Sequence, residues 1–275
     1  MKEIVLDIDG TLLNDQKQIS PKTKQALIKA QENGIKVILA SGRPTKAMVK
    51  FAKELEMDKH NGLLISYNGA KVTNIQTGEV LFNQVLPQEL AVQVLEHLKK
   101  FNVIPMINDD EYMYVNNVFG GMIRINGESF NIIQYESRGG DFLLQEKADL
   151  AEFAKSPLNK ILIAGEAEYL ANAAKEIYAP FKATLNGAFS APFYFEITDK
   201  GIDKAKALEV VNQNLGIKPF EVISFGDAQN DTSIIKYAGV GVVMGNAKED
   251  MKKIADFVTL SNNEEGIAYA LEKYL

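Results

Sequence analysis

Met1-Lys2-Glu3-Ile4-Val5-Leu6-Asp7-Ile8-Asp9-Gly10, followed by Thr11-Leu12-Leu13, opens the chain. Ile4, Val5 and Leu6 form a short apolar run that Gly10 breaks. That is the pattern of a strand buried on both faces, and hence central in a parallel sheet. Asp7 and Asp9 then stand at the strand's C-terminal end, the edge of an open α/β sheet where ligands bind. Two carboxylates this close repel each other, and a cation relieves the repulsion. Taken alone, the same residues suit a plain Asp-Gly turn equally well. A calcium loop of EF-hand type would need a Glu where the chain has Gln18, and here the loop follows a strand.

Outward from this strand, residues 12–19 are short and mostly polar and predict a tight hairpin or flap. Ser20-Pro21 predicts a helix start, with Ser20 as N-cap and Pro21 at the first helical position. Gly34 closes that helix, and Ile35–Ala40 is a second apolar strand, so strand, helix and strand make a right-handed βαβ unit. This second strand ends in Ser41-Gly42-Arg43-Pro44 before a helix over Thr45–Leu55. Backbone N–H groups at such a helix start suit an anion such as phosphate, although a capping turn reads the same way. Gly62–Ser66 is a third strand. The turn signal Asn68-Gly69 after it predicts a strand pair over Lys71–Thr73 and Val80–Phe82.

From about Asn83 the pattern changes to a mixed α+β segment. Helices are expected over Pro87–Phe101, Leu144–Ser156 and Glu166–Tyr178. Strands are expected over Val103–Asn108, Tyr112–Val115, Lys160–Ala164 and Phe193–Ile197, with a polar turn at Asp109-Asp110-Glu111. The alternating α/β pattern then returns. Lys204 opens a helix; Val222–Phe225 is a buried strand ending in Gly226-Asp227-Ala228-Gln229-Asn230-Asp231; Gly239–Met244 is a further strand. The expected organisation is therefore α/β: a Rossmann-like core with a central parallel sheet over 1–82 and 199–275, interrupted by an inserted α+β unit over 83–198.

The bulk properties exclude several classes. The 275 residues are 46% hydrophobic and 24% charged, as in an ordinary globular protein, with room for two domains. A formal net charge of −6 disfavours nucleic acid and anionic membrane as partners, and no apolar stretch approaches a bilayer span. A chain that enters a strand at once carries no expected signal peptide, so the cytoplasm is the default compartment. The absence of cysteine excludes thiolate metal sites and a cysteine nucleophile.

Three polar clusters thus fall at strand ends on one edge of the expected sheet: Asp7/Asp9, Ser41/Gly42 and Asp227/Asn230/Asp231, with Lys204 opening a helix that could lie near that edge. Each alone reads as a turn or a solvated lysine. Together they supply carboxylates, a hydroxyl and a cation, which is what phosphoryl transfer requires. Asp7-Ile8-Asp9-Gly10-Thr11, Ser41-Gly42-Arg43-Pro44, Lys204 and Gly226-Asp227-x-x-Asn230-Asp231 resemble the four motifs of the haloacid dehalogenase superfamily, and in particular its Cof-type sugar-phosphate phosphatases. The resemblance covers essentially the whole chain, and the insertion sits where that group carries an α/β cap. Gly239–Ala247 also resembles the group's final core strand.

The resemblance implies that Asp7 attacks phosphorus to form an aspartyl-phosphate, while Asp9 serves as acid and then as base. It implies Mg²⁺ held by the Asp7 and Asp227 carboxylates and the Asp9 main-chain carbonyl. It places Ile8, Ser41, Gly42, Lys204 and Asn230 around the phosphoryl group, with Asp231 in support, and makes Arg43 and Asn68 core residues facing the substrate. The implied partner is a small phosphorylated metabolite. His60 and His97 lie outside every cluster, and no Gly-x-x-x-x-Gly-Lys-Ser/Thr occurs. A phosphotransferase or mutase on the same core, and a catalytically silent binding protein, remain alternatives. The segment from Asn83 to Thr198 is expected to be a mobile cap that closes over the site and chooses the substrate.

Overall fold

A computed structural model describes residues 1–109, 111–125, 127–154 and 156–275. Asp110 of the expected polar turn and Lys155 of the helix expected over Leu144–Ser156 lie outside the described residues. The chain divides into two compact units, Met1–Asn83 with Asp203–Leu275, and Gln84–Ile202.

The first unit begins with β1 (Glu3–Leu6), α1 (Pro21–Glu32), β2 (Lys36–Ala40), α2 (Thr45–Glu54), β3 (Leu63–Ser66), β4 (Lys71–Asn74) and β5 (Val80–Asn83). In the second unit come α3 (Gln88–Leu98), β6 (Ile104–Asn108), β7 (Tyr112–Val115), β8 (Met122–Ile125), β9 (Glu128–Asn131), α4 (Ile132–Gly140), β10 (Leu143–Glu146), α5 (Leu150–Phe153), β11 (Lys160–Ala164), α6 (Ala167–Tyr178), β12 (Leu185–Ala191) and β13 (Tyr194–Asp199). The first unit resumes with α7 (Lys204–Leu215), β14 (Val222–Gly226), α8 (Thr232–Tyr237), β15 (Val240–Val243), α9 (Glu249–Lys252), β16 (Phe257–Val258) and α10 (Gly266–Tyr274).

The first unit's sheet runs β16-β15-β14-β1-β2-β3-β4-β5. The strands from β16 to β3 pair in parallel, whereas β4 and β5 turn antiparallel at one edge. As the apolar run Ile4–Leu6 predicts, β1 is central, with Ile4 opposite both Ile223 and Val37. Alternate residues serve opposite faces. Ile4 and Leu6 join Leu27 of α1, Met48 and Phe51 of α2 and Leu271 of α10 in one core. Val5 joins Ala207, Leu208 and Val211 of α7 and Ile234 of α8 in the other. The result is the three-layered α/β architecture expected. The Ser20 side chain accepts from Thr23 N at 3.4 Å, and Pro21 occupies the first helical turn of α1.

The second unit's sheet runs β10-β7-β6-β11-β13-β12 and is antiparallel except where β10 joins β7. One face packs on α3, α5 and α6 through Leu95, Leu150, Ile161, Ile163, Leu170 and Phe195. The β8–β9 hairpin and α4 cover part of the other through Ile123, Ile132 and Ile133. One expected element is corrected here. Residues 144–156 do not form a single helix: Leu143–Glu146 pairs with β7 as an edge strand, and Asp149 then caps the short α5 by accepting from Ala151 N at 2.9 Å.

Candidate active site

The parallel strands deliver their C-terminal ends to one edge of the sheet, and the site is built there. Asp7 follows β1, where its N–H donates to the Phe225 carbonyl at 3.0 Å. Asp227 follows β14, the neighbouring strand. Gly10 lies between them in the left-handed region at φ +83°, and a Cβ on it would sit 2.5 Å from Asp227 Oδ2. Only glycine meets both conditions. The adjacent Thr11 hydroxyl donates to Asp227 Oδ1 at 2.8 Å.

Lys204 reaches the same place from the first turn of α7. Asp203 caps that helix by accepting from Ala205 N at 2.9 Å and Lys206 N at 3.0 Å. Gly69, at φ +106°, lets the loop after β3 approach this helix start, since a Cβ there would lie 2.2 Å from the Asp203 carbonyl. The Lys204 ammonium is fully buried. It donates to Asp7 Oδ1 at 2.7 Å and to Asp231 Oδ1 at 2.6 Å. The other oxygen of Asp231 accepts from the main-chain N–H groups of Asp227 and Ala228, both at 3.0 Å. Asp231 is therefore a brace whose carboxylate is already satisfied.

Asp7, Asp227 and Asp231 offer carboxylate oxygens all within 4.8 Å of one another. Asp7 and Asp231 share one ammonium beside Asp227, and the crowding raises the proton affinities of Asp7 and Asp227. Burial, then the charge of Asp231, push Asp7 up to about 8 against the pull of Lys204. Burial likewise raises Asp227 to about 6, despite the Thr11 hydrogen bond. Burial disfavours the Lys204 cation, but the charges of Asp7 and Asp231 outweigh it and hold its pKa above the usual value. An all-oxygen set with uncompensated negative charge fits a hard divalent cation.

Asp9 is differently placed. Its carboxylate takes Arg43 Nε at 2.7 Å, Arg43 Nη2 at 2.8 Å and Lys17 Nζ at 3.2 Å. Burial works the other way, but these two cations hold its pKa below the usual value. Arg43, expected to face a substrate, is thus engaged with Asp9, and its guanidinium lies 5.5 Å from the centre of the Phe51 ring.

Ser41 is buried at the end of β2, where its hydroxyl accepts from Arg43 N at 3.2 Å. Gly42 lies against Asn68, whose side-chain amide would be 3.0 Å from a Cβ there. Asn68 follows β3 in a left-handed conformation, and its Oδ1 accepts from Asn230 Nδ2 at 3.1 Å. The Ile8 side chain is buried in the core and its carbonyl accepts from Leu13 N at 2.9 Å, so its main-chain N–H is the group that could serve a ligand. The structure therefore brings Asp7, Asp227, Asp231 and Lys204 into direct contact range. Asp9 joins Arg43 and Lys17 alongside, and Asn68 joins Asn230. Thr11, the last residue of the first motif, takes part through its hydroxyl, and Lys17 takes part from outside any motif. Lys17 reaches Asp9 from a left-handed turn position at φ +60°, which no side-chain pattern announces.

With this geometry in place, the likenesses to known proteins are specific. The chain matches the haloacid dehalogenase-like hydrolase family over residues 4–271 and belongs to it. It is 37% identical to a haloacid dehalogenase-like hydrolase of Bacteroides thetaiotaomicron, whose crystal structure matches with a TM-score of 0.91 over 100% of this chain and 99% of that one. A solved structure described as a HAD subclass IIB sugar phosphatase is 27% identical, with a TM-score of 0.78 over 100% of this chain and 99% of that one. The 5-amino-6-(5-phospho-D-ribitylamino)uracil phosphatase YitU of Bacillus subtilis is 27% identical over 283 residues, covering 98% of this chain and 96% of that protein.

Proposed function

We propose that this protein is a Mg²⁺-dependent phosphatase of small phosphorylated metabolites, sugar phosphates foremost, that works through an aspartyl-phosphate on Asp7. The observation that carries the reading is the buried Lys204 ammonium shared by Asp7 and Asp231 beside Asp227. Family membership and the phosphatase relatives support it.

On this reading an Asp7 carboxylate oxygen attacks phosphorus, and the ester P–O bond breaks toward the leaving oxygen. Lys204 draws the phosphoryl oxygens toward Asp7, together with the Ser41 hydroxyl, the main chain of Ile8 and Gly42, and Asn230. Asp9 gives its proton to the leaving oxygen, then takes one from the water that cleaves the acyl phosphate. With Arg43 and Lys17 on its carboxylate, Asp9 is set as a base; the acid step requires those contacts to open. Asp7, Asp227 and the Asp9 main-chain carbonyl would hold Mg²⁺, which when bound would supply charge neutralisation at the transferring phosphoryl group. Asp231 positions Lys204 and the Asp227 main chain.

The inserted unit serves as the cap that selects the substrate. What supports this is organisation: every residue assigned to chemistry belongs to the first unit, and the insert has a hydrophobic core of its own. It favours substrates small enough to be enclosed over folded phosphoproteins. No helix among the described residues is long and apolar enough to cross a membrane.

The test is phosphate release from a panel of sugar and other metabolite phosphates. EDTA should abolish turnover and Mg²⁺ should restore it. Full turnover in metal-free buffer would remove the metal from the mechanism, and no release from any phosphomonoester would remove the function.

A further inference from the structure

The turn that carries Asp9 continues into residues 10–19, which have almost no regular structure. Their ladder contacts are two isolated bridges, Asp9 with Leu13 and Leu13 with Ile19. Lys17, which donates to Asp9, sits at the far end of this flap. Leu12, Leu13 and Ile19 fix the two ends of the flap in the core, whereas its tip, residues 15–18, is exposed and needs an outside anchor if Lys17 and Asp9 are to keep one position.

That anchor comes from two loops more than two hundred residues away in sequence, both within the same unit. Asn246, just after β15, donates through Nδ2 to the Gly10 carbonyl at 2.9 Å. Its Oδ1 accepts from Asn262 N at 3.0 Å. Asn262 Nδ2 then donates to the Leu13 carbonyl at 3.0 Å and to Asp15 Oδ1 at 3.2 Å. Asn263 completes the grip: its Nδ2 donates to Asp15 Oδ2 at 2.9 Å and its Oδ1 accepts from Asp15 N at 3.0 Å. Beyond the flap, Glu265 accepts from the hydroxyls of Ser20 and Thr23.

We propose that Asn246, with Asn262 and Asn263 gripping Asp15, forms a clasp that positions the Asp9–Gly10 turn for proton transfer. The inference rests on the proposed acid–base role of Asp9. Exposure argues for positioning over folding. Asn246, Asp15 and Asn263 are all exposed, and exposed hydrogen bonds contribute little net stability. Asn246 nevertheless holds the carbonyl one residue beyond Asp9, where a displacement of about 1 Å costs roughly 100-fold in rate. These are positioning residues, since none touches the reacting atoms.

The experiment pairs Asn246→Ala and Asp15→Ala with the wild-type protein and reads two things. Deuterium uptake of residues 10–19 should quicken in both variants while the melting temperature stays within about 2 °C. The kcat should fall about 10- to 100-fold on an alkyl phosphate. It should fall less on a nitro-substituted aryl phosphate, whose leaving group needs no proton, and KM should barely move on either. The double variant should lose less than the two single losses combined, because both act through one clasp. Unchanged uptake overturns the clasp. Faster uptake with unchanged kcat, or equal losses on both esters with a lowered melting temperature, overturns the positioning role. A wild type without phosphatase activity overturns the function instead, and the uptake of residues 10–19 still decides whether the clasp holds the flap.

Discussion

The two sheets of this protein differ in strand direction, and that difference decides where chemistry collects. In the first unit β14, β1, β2 and β3 run in parallel, so the residues that follow them emerge at one edge. Asp227, Asp7, Ser41 and Asn68 are far apart in sequence and become neighbours for that reason alone. In the insert, β6, β7, β11, β13 and β12 mostly alternate in direction and send their ends to opposite edges. Here a cross-strand ion pair joins neighbouring strands, and no comparable cluster of sequence-distant acids forms among the insert's described residues. Lys160 of β11 and Glu196 of the neighbouring β13 form a buried ion pair at 2.9 Å. A parallel sheet concentrates sequence-distant polar residues, whereas an antiparallel one disperses them.

The comparison breaks most sharply at Asp7. Asp7→Asn keeps the shape of the side chain and removes the nucleophile, so turnover should fall by more than about 10⁴-fold. Asp9→Asn should cost about 10²- to 10⁴-fold, with the smaller loss on esters whose leaving group needs no proton. Single-turnover assays with circular dichroism as a fold check measure both. An Asp7→Asn protein of wild-type rate would mean that the convergence at this edge does not make Asp7 the nucleophile.

A smaller effect should follow from removing the other region. Replacing residues 84–202 by a short linker should leave the first unit its own core, since Ile4, Leu27, Met48 and Leu271 all belong to it. A generic aryl phosphate should still be hydrolysed, while preference for the best metabolite over that ester should fall by about tenfold or more. Unchanged preference in a folded protein would place specificity in the first unit.

Legibility followed the same division. Strands such as Ile4–Leu6 and Val222–Phe225 are buried on both faces, so their apolar runs and the Gly or Asp after them can be read directly. The insert's edge strands carry no such mark. Leu143–Glu146 has the helix-forming composition Leu-Leu-Gln-Glu and becomes a strand because β7 offers a free edge. Leu185–Ala191 contains Asn, Gly and Ser in a half-exposed strand and went unread. The hairpin Met122–Asn131 did too. Within the site, Asp7, Ser41, Lys204 and Asp227 stand in spaced motifs and were visible. Thr11 and Asn246 fall inside stretches that resemble the family's, but their hydrogen bonds, like the reach of Lys17, depend on where a loop's backbone turns.

The smallest effect concerns the opposite edge of the first unit's sheet, where charge has no chemical use. Glu3 is fully buried at the start of β1, and its Oε2 accepts from Asn212 Nδ2 at 2.8 Å. Glu3 Oε1 and Asn212 Oδ1 have no hydrogen-bond partner among the described residues. A proton on Oε1 would turn that unpaired buried acceptor into a donor. Burial raises the Glu3 pKa above the usual value, although Asn212 and Lys36 oppose it. The folded state then binds this proton more tightly than the unfolded chain. The stability it brings is complete below the unfolded value near 4.5 and is lost as pH climbs through the raised folded value. Glu3→Gln supplies a permanent donor in place of the proton and does not titrate. It should match the wild type in acid and exceed it at neutral pH by on the order of 1 kcal/mol, read as a melting temperature about 2 °C higher. A variant less stable than the wild type at neutral pH would mean that Glu3 is buried as a carboxylate. This edge of the sheet would then carry an uncompensated charge just as the opposite edge does.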